Sequence, residues 1–512
     1  MNGLANLSLR QKLGQLLMVG FDGLHTNAHI ETLIRQHHIG GVILFRRNVD
    51  TPQQVAVLNR SLQQINAEAS TVPLLIAVDQ EGGMVARIED GVTPLPSALA
   101  FRATGSAADC EALTAYANAE LKALGFNLNF APDLDVNNNP LNPVIGVRAF
   151  GETPAEVIEY GMAALRGVQV AGMAATAKHF PGHGDTDVDS HLGLPRVPHD
   201  PQRLHAVELV PFEAAIAAGV DTFMSSHVVF PAFEPDPDTP ATMSRAVLTD
   251  LLRGELGFAG VTFTDCLEMD AIAKGPGTIA GALAAIKAGA DVVLISHTQA
   301  LQQGFLDALE RAVASGEITE AQIDASVARV LNLKAARQMA DWPRLPLDPT
   351  PVLRRPEALA LSERVHKNSV TVVGACAPLQ PALRVLLVTL EVRERSEVDE
   401  LGKRTDTLAA PLRELGYMVE EVRFPLAPDA ADLEWVQRNV AGAAQVVCVS
   451  YNAVLHPAQQ RLLNALPVPR LWLVAGRLPY DLALQPQAAG RLTAYANRPA
   501  ALRAIAQRLS AP

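Results

Sequence analysis

Ala175-Thr-Ala-Lys-His-Phe-Pro-Gly-His-Gly-Asp-Thr-Asp-Val-Asp-Ser-His191 is the stretch from which the rest of the sequence can be organised. It begins as a short apolar run. From Lys178 onward it packs one lysine, three histidines and three aspartates into fourteen residues, with two glycines and a proline. Glycine and proline prevent a regular helix or strand from continuing through it. A buried strand therefore hands over to a polar loop.

The same handover recurs along the chain. Apolar runs lie at 16–20, 42–45, 74–78, 128–131, 175–178, 222–226, 261–264 and 292–296. They are continuous rather than alternating, as parallel strands buried on both faces require. Helical patterns separate them. The clearest starts at Thr153-Pro-Ala-Glu156, a capping box with proline at the first helical position. Its stripe of Val157, Gly161, Leu165 and Val168 has helical spacing, and Gly172 ends it. Eight such units within residues 1–340 predict an α/β chain built on a (β/α)8 TIM barrel. A doubly wound open sheet has the same periodicity. Asp79, Asp133, His179, His227, Asp265 and His297 fall at or just beyond the strand ends. One such Asp would read as a helix cap. Six Asp or His at six strand ends favour an active site at the barrel's C-terminal face.

Residues 341–356 turn proline-rich and read as a semi-rigid linker. A helix pattern over 357–367 then leads into strand-like runs at 369–373, 385–389, 418–424, 446–450 and 471–474. Residues 357–512 thus form a second, smaller α/β domain with a mostly parallel sheet. The 512 residues are 49% hydrophobic and 19% charged, which fits folded domains and excludes general disorder. The net charge of −12 argues against a nucleic-acid partner or an anionic membrane surface. No apolar run is long enough for a membrane span. The N-terminus lacks the pattern of a signal peptide, so a cytoplasmic location is expected. Four scattered cysteines suit a reducing compartment, and no CxxC pair suggests a thiolate metal site.

The loop at 178–191 allows four readings. As a calcium loop it fails, because Ser190 stands where glycine is needed and Arg196 where glutamate is needed. A metal-dependent hydrolase could use His179, His183, Asp185 and His191 as ligands, although HExxH and HxH pairs are absent. A solvated acidic loop is the bland reading. The fourth is a proton-transfer dyad. Asp189 and His191 are two apart, so on an extended loop their side chains share a face. The carboxylate can hold one ring N–H while the other nitrogen moves protons, near an ordinary histidine pKa of about 6.5.

Three further motifs flank this loop. Val78-Asp-Gln-Glu-Gly-Gly-Met-Val-Ala-Arg87 joins a carboxylate to a guanidinium, a combination that grips sugar hydroxyls. Val144-Ile-Gly-Val-Arg-Ala-Phe-Gly151 presents Arg148 in a glycine-flanked turn. Gly260-Val-Thr-Phe-Thr-Asp-Cys-Leu-Glu-Met269 places Asp265 directly after a strand, where a carboxylate can attack an electrophilic carbon.

Taken together, the motifs at 178–191, 79–83 and 264–269 strongly resemble those of the β-N-acetylglucosaminidases of glycoside hydrolase family 3. The resemblance spans roughly residues 8–340. The second domain resembles the α/β sandwich of two-domain members, near Gly476-Arg-Leu-Pro-Tyr-Asp481. It implies a retaining, exo-acting enzyme that removes non-reducing GlcNAc from cell-wall (peptidoglycan) fragments. By the same resemblance Asp265 is the nucleophile, and His191 the acid/base oriented by Asp189. Sugar contacts fall on Asp79, Arg87, Arg148, Lys178 and His179, with Met269 packing nearby. No cofactor and no metal are implied, and the expected partner is a small carbohydrate. One departure is Met84, which follows Glu-Gly-Gly where the family usually has arginine. That position is expected near the site, affecting affinity or aglycone choice. A phosphorylase with phosphate as acceptor is the rival. A metal-dependent barrel hydrolase and a catalytically dead sugar-binding protein are more distant alternatives.

Overall fold

The computed structural model describes residues 4–191, 193–391 and 406–511. Eight parallel strands close into a barrel: β1 (Leu17–Val19), β2 (Gly41–Leu44), β3 (Leu75–Val78), β4 (Leu128–Asn129), β5 (Ala174–Phe180), β6 (Thr222–Ser225), β7 (Val261–Cys266) and β8 (Val292–Ile295). Each strand pairs with its sequence neighbours, and β1 closes the ring against β8. Closure excludes the open doubly wound sheet. The strand residues are buried on both faces. Met18, Leu75, Phe130, Met224, Phe263 and Leu294 fill the interior, while Leu17, Val19, Val42 and Val293 face the helices. Phe130 and Phe263 meet edge-on at 5.4 Å, a contact that adds about 1 kcal/mol beyond area burial.

The helix predicted from the capping box runs Pro154–Val170. The Thr153 hydroxyl accepts from the Glu156 N–H, and Glu156 accepts in return from the Thr153 N–H. At the barrel floor the Lys334 ammonium donates to Gln15 Oε1 at 2.7 Å and to the Gly40 carbonyl at 2.9 Å. Burial pushes Lys334 down to about 7. No helix among the described residues is long and apolar enough to cross a membrane.

The proline-rich stretch is fastened to the barrel. Arg60 donates to the Leu345 carbonyl at 2.6 Å, and the Arg354 N–H donates to Glu120 at 2.8 Å. Beyond it lies a six-stranded sheet of β9 (Thr371–Val372), β10 (Val385–Glu391), β11 (Val419–Pro425), β12 (Gln445–Ser450), β13 (Leu471–Ala475) and β14 (Gly490–Thr493), ordered 9-14-13-12-10-11. All its pairings are parallel except β9 with β14. The short β14 has no apolar run and is not visible in the sequence pattern. The two sheets are joined by shared packing. Leu99, Ala100 and Val147 of the barrel side share one apolar cluster with Leu478, Leu492, Tyr495 and Ile505. Helix Pro356–Ser369 sends Leu361 and Val365 against Phe101, Leu113 and Tyr160 of the barrel's helices.

Candidate active site

The strand ends bring Asp79, Asp133, Lys178, His179, His227 and Asp265 to one mouth of the barrel. Lys178 is 2% exposed, and its charge is met by two carboxylates. Its ammonium lies 2.9 Å from Asp79 and 2.6 Å from Glu81. Arg148 makes a two-pronged pair with the same Glu81, at 2.9 and 2.8 Å. Planar guanidinium and carboxylate match in such a fork, which fixes orientation as well as charge. Burial alone would raise the Glu81 carboxyl. The charges of Arg148 and Lys178 override it and hold Glu81 far below the usual carboxylate range. Arg87 reaches Asp79 at 3.7 Å.

His179 continues the network. Its Nδ1 lies 2.7 Å from Asp135, and its Nε2 lies 3.3 Å from the Arg148 guanidinium. Burial pushes the imidazole down to about 4, so it is neutral near pH 7. The partners then set its tautomer: Nδ1–H donates to Asp135, and Nε2 accepts from Arg148. Burial pushes Asp135 up to about 6, against the N–H bonds of His183 and His179. Burial and the neighbouring Asp135 push Asp133 up as well, to about 8.

Asp265 stands at the end of β7, and its Oδ1 accepts from the Cys266 N–H at 2.7 Å. It caps no helix, since the next one starts at Asp270. Burial opposes its ionisation. The imidazoles of His227, His179 and His191, cationic at the acid pH where a carboxyl titrates, outweigh that together with the Cys266 N–H and hold the carboxyl below its ordinary value. His227 is neutral by burial. Its Nε2 lies 2.9 Å from the Cys266 carbonyl, which can only accept. That nitrogen therefore carries the hydrogen, and Nδ1 accepts from Thr242 at 2.9 Å.

The dyad is present as a geometric unit. His191 Nδ1 lies 2.7 Å from Asp189 Oδ1, which also accepts the His191 N–H at 2.9 Å. Asp189, despite burial, is held low by these contacts. The loop is drawn toward the segment that follows Asp265, because the Ser190 carbonyl accepts from the Ala271 N–H at 3.4 Å. Its first half is clamped to the barrel. A Cβ on Gly184 would meet the Val136 carbonyl at 1.8 Å, so only glycine lets the chain pass. The four ligands of the metal reading do not converge. His179 faces Asp135, His183 bridges Thr186 and Ser190, Asp185 pairs with His199, and His191 with Asp189.

Met269 is 3% exposed and leads into the short helix Asp270–Ala273. Met84 is 1% exposed and packs into the apolar cluster shared with the second domain, in the turn that leads to Arg87. Sequence does not single out Glu81 or Asp135 as site residues, and it offers His183 only as a ligand of the metal reading. Glu81 sits inside a quoted motif, but nothing in one sequence tells which carboxylate of that motif pairs inward. Asp135 lies six residues past the end of β4, too far from a strand end for that pattern to mark it.

A closed parallel barrel with paired charges gathered at its C-terminal face has the architecture of barrel enzymes. The chain belongs to glycosyl hydrolase family 3, whose N-terminal domain model matches residues 8–333. Over its whole length it resembles the solved glycoside hydrolase family 3 β-N-acetylglucosaminidase from Paenibacillus sp. str. FPU-7. The two are 48% identical over 98% of this chain and 97% of that one, with a TM-score of 0.93. The β-hexosaminidase A of Pseudoalteromonas piscicida is 38% identical over 60% of this chain, which spans 54% of that relative's length. The β-hexosaminidase of Tolumonas auensis is 39% identical over 58% of this chain and 88% of its own.

Proposed function

We propose that this chain is a retaining exo-β-N-acetylglucosaminidase that removes terminal β-linked GlcNAc from short cell-wall glycan fragments in the cytoplasm. Its substrate is a small carbohydrate, and the reaction uses no cofactor and no metal. The reading is carried by one juxtaposition. A carboxylate held ionised at a strand end, Asp265, feels the field of His191, whose ring is fixed by Asp189. The two-domain relative with β-N-acetylglucosaminidase activity in its description supports the sugar. Unpaired cysteines at 110, 266, 376 and 448 agree with a reducing compartment.

In the first step Asp265 attacks the anomeric carbon as the bond to the leaving oxygen breaks. Protonated His191 gives its Nε2 proton to that oxygen. The product is a covalent glycosyl-Asp265, and the two displacements together retain configuration. His191, now neutral, takes a proton from water as the water opens the ester, and Asp265 is restored as a carboxylate. Asp189 keeps Nδ1–H fixed throughout, so Nε2 is the nitrogen that moves protons. Asp79, Arg87, Lys178, His179 and Arg148 hold the sugar hydroxyls and amide around this axis, with Met269 packed beside the nucleophile's turn.

The deciding experiment is turnover of an aryl β-N-acetylglucosaminide in phosphate buffer, with the sugar product identified by mass. Free GlcNAc is expected. GlcNAc 1-phosphate would replace water by phosphate in the second step and make the enzyme a phosphorylase. No turnover would reject the assignment.

A further inference from the structure

The described second domain supplies no member of the charge network around Lys178, yet it reaches behind both turns that present the sugar-facing arginines. Arg148 ends the turn Gly146–Arg148, whose Gly146 has φ +52°. A Cβ on Gly146 would meet Leu478 of the second domain at 2.5 Å, so the Leu478 side chain fills the space directly under the turn. Leu478 is 0% exposed. Arg477 donates to the Pro143 carbonyl at 3.3 Å, just ahead of the same turn. Tyr480 closes a relay of polar contacts. Its hydroxyl donates to Glu152 at 2.6 Å and accepts from the Asn137 amide at 2.9 Å. Asn137 in turn accepts the Gly146 N–H at 3.0 Å. The segment itself is anchored in its own domain, since Asp481 accepts from Ser450 at 2.6 Å and from the Val454 N–H at 3.0 Å.

The other turn is held the same way. Arg498 donates to the carbonyls of Gly83 and Met84 at 3.4 and 3.2 Å, and lies 3.3 Å from Glu89. Gly83 and Met84 begin the turn that leads to Arg87.

We infer that the second domain is a positioning element of the sugar pocket: Leu478 and Tyr480 set the Arg148 turn, and Arg498 sets the turn before Arg87. The physical reason is the short reach of the interactions involved. Arg148 must meet Glu81 and His179 at once, and a shift of about 1 Å in a grip of this kind can cost up to about a hundredfold in rate. A turn containing a left-handed glycine and lying over a void would be free to shift; a buried leucine and a relay of three hydrogen bonds remove that freedom. The barrel can therefore keep its nucleophile and dyad intact and still bind sugar poorly if this support is lost.

The test compares wild type with Tyr480→Phe, Leu478→Ala and the conservative Leu478→Met. Amide hydrogen exchange reads the positioning directly. Residues 144–148 should exchange about tenfold faster in Tyr480→Phe and Leu478→Ala, with β5 and β7 unchanged, and Leu478→Met should restore protection. Steady-state kinetics gives the second reading, which rests on the proposed activity. KM for the aryl N-acetylglucosaminide should rise about tenfold while kcat stays within about twofold. Wild-type exchange at 144–148 in both disruptive variants would overturn the inference. So would a loss confined to melting temperature with KM unchanged. Absence of wild-type turnover would sink the proposed activity alone, because the exchange result stands independently of the sugar.

Discussion

Lys178 and His191 are thirteen residues apart in one loop-bearing stretch, and their surroundings are opposites. Lys178, Glu81 and Arg148 have side chains 2%, 7% and 5% exposed and satisfy one another in a closed set of charges. His191 and Asp189 are 15% and 11% exposed, and their ring contact is a single 2.7 Å bond. Charges deep in a low-dielectric interior must be paired, because an orphaned one costs several kcal/mol. A group that takes up and gives away a proton in each turnover must keep access to water or substrate. On the proposed mechanism the chain separates the two tasks by changing from a strand end to a glycine-containing loop within a few residues. Substitutions in the first region should therefore cost stability and sugar affinity, and those in the second should cost rate.

The largest effect is expected between the two, at Asp265. Asp265→Ala should leave folding intact and lower kcat by about 10⁴ or more, as loss of the proposed covalent nucleophile requires. Turnover near wild type would break the mechanism. Next comes His191→Ala, for which a loss of roughly 10² to 10⁴ is expected on substrates with poor leaving groups. Activated aryl glycosides, which leave without a proton, should suffer much less. Equal losses on both substrate types would erase the distinction between dyad and grip.

Glu81→Gln tests the other side. It removes the charge that Lys178 and Arg148 share, and breaking a buried pair in this way costs about 3–5 kcal/mol. A lower melting temperature and a higher KM should appear together. A variant as stable as wild type would show that the network contributes nothing beyond what it replaces.

Much of this architecture is readable from sequence. The eight apolar runs and their polar followers mark the barrel and its working face, because parallel strands bury both faces and leave chemistry only at their ends. Asp265 stands out for the same reason, whereas Asp189 and His191 stand out by their spacing on the loop. What stays hidden is pairing. Glu81 and Asp79 are two residues apart, and only the fold shows both reaching Lys178. That Met84 packs against the second domain is not legible either, because the direction of a glycine-rich turn is set by what packs behind it. β14 has no hydrophobic pattern to announce it and exists through its partners β13 and β9.

The smallest effect expected concerns acid stability, and it separates the buried histidines from the dyad. Burial pushes His179 down to about 4 and His183 down to about 3. His366, in the helix that contacts both domains, is also pushed to about 4 by burial. In the unfolded chain each titrates near 6.5. Between about 6.5 and 4 the unfolded state therefore binds protons at these histidines that the folded state refuses, and their contribution to stability falls as pH falls through that window. One fully contributing histidine changes stability by about 1.4 kcal/mol per pH unit. The ionised Glu81 carboxyl adds to the loss only below about 4.5, where carboxyls of the unfolded chain begin to protonate. Asp133 and Asp135, pushed up to about 8 and about 6, take up protons in the folded state over the same range and oppose this loss, so the histidine contribution to any decline in melting temperature between pH 7 and pH 5 is read by comparing wild type with a histidine variant. His366 lies outside the sugar pocket, its Nδ1–H donating to the Ser362 carbonyl at 2.8 Å. His366→Gln should flatten the decline by one proton's worth and leave kcat and KM unaltered. An unchanged slope would remove His366 from the set of buried neutral histidines. A changed pH–rate profile would mean that the acid response of the fold and that of the active site are one and the same.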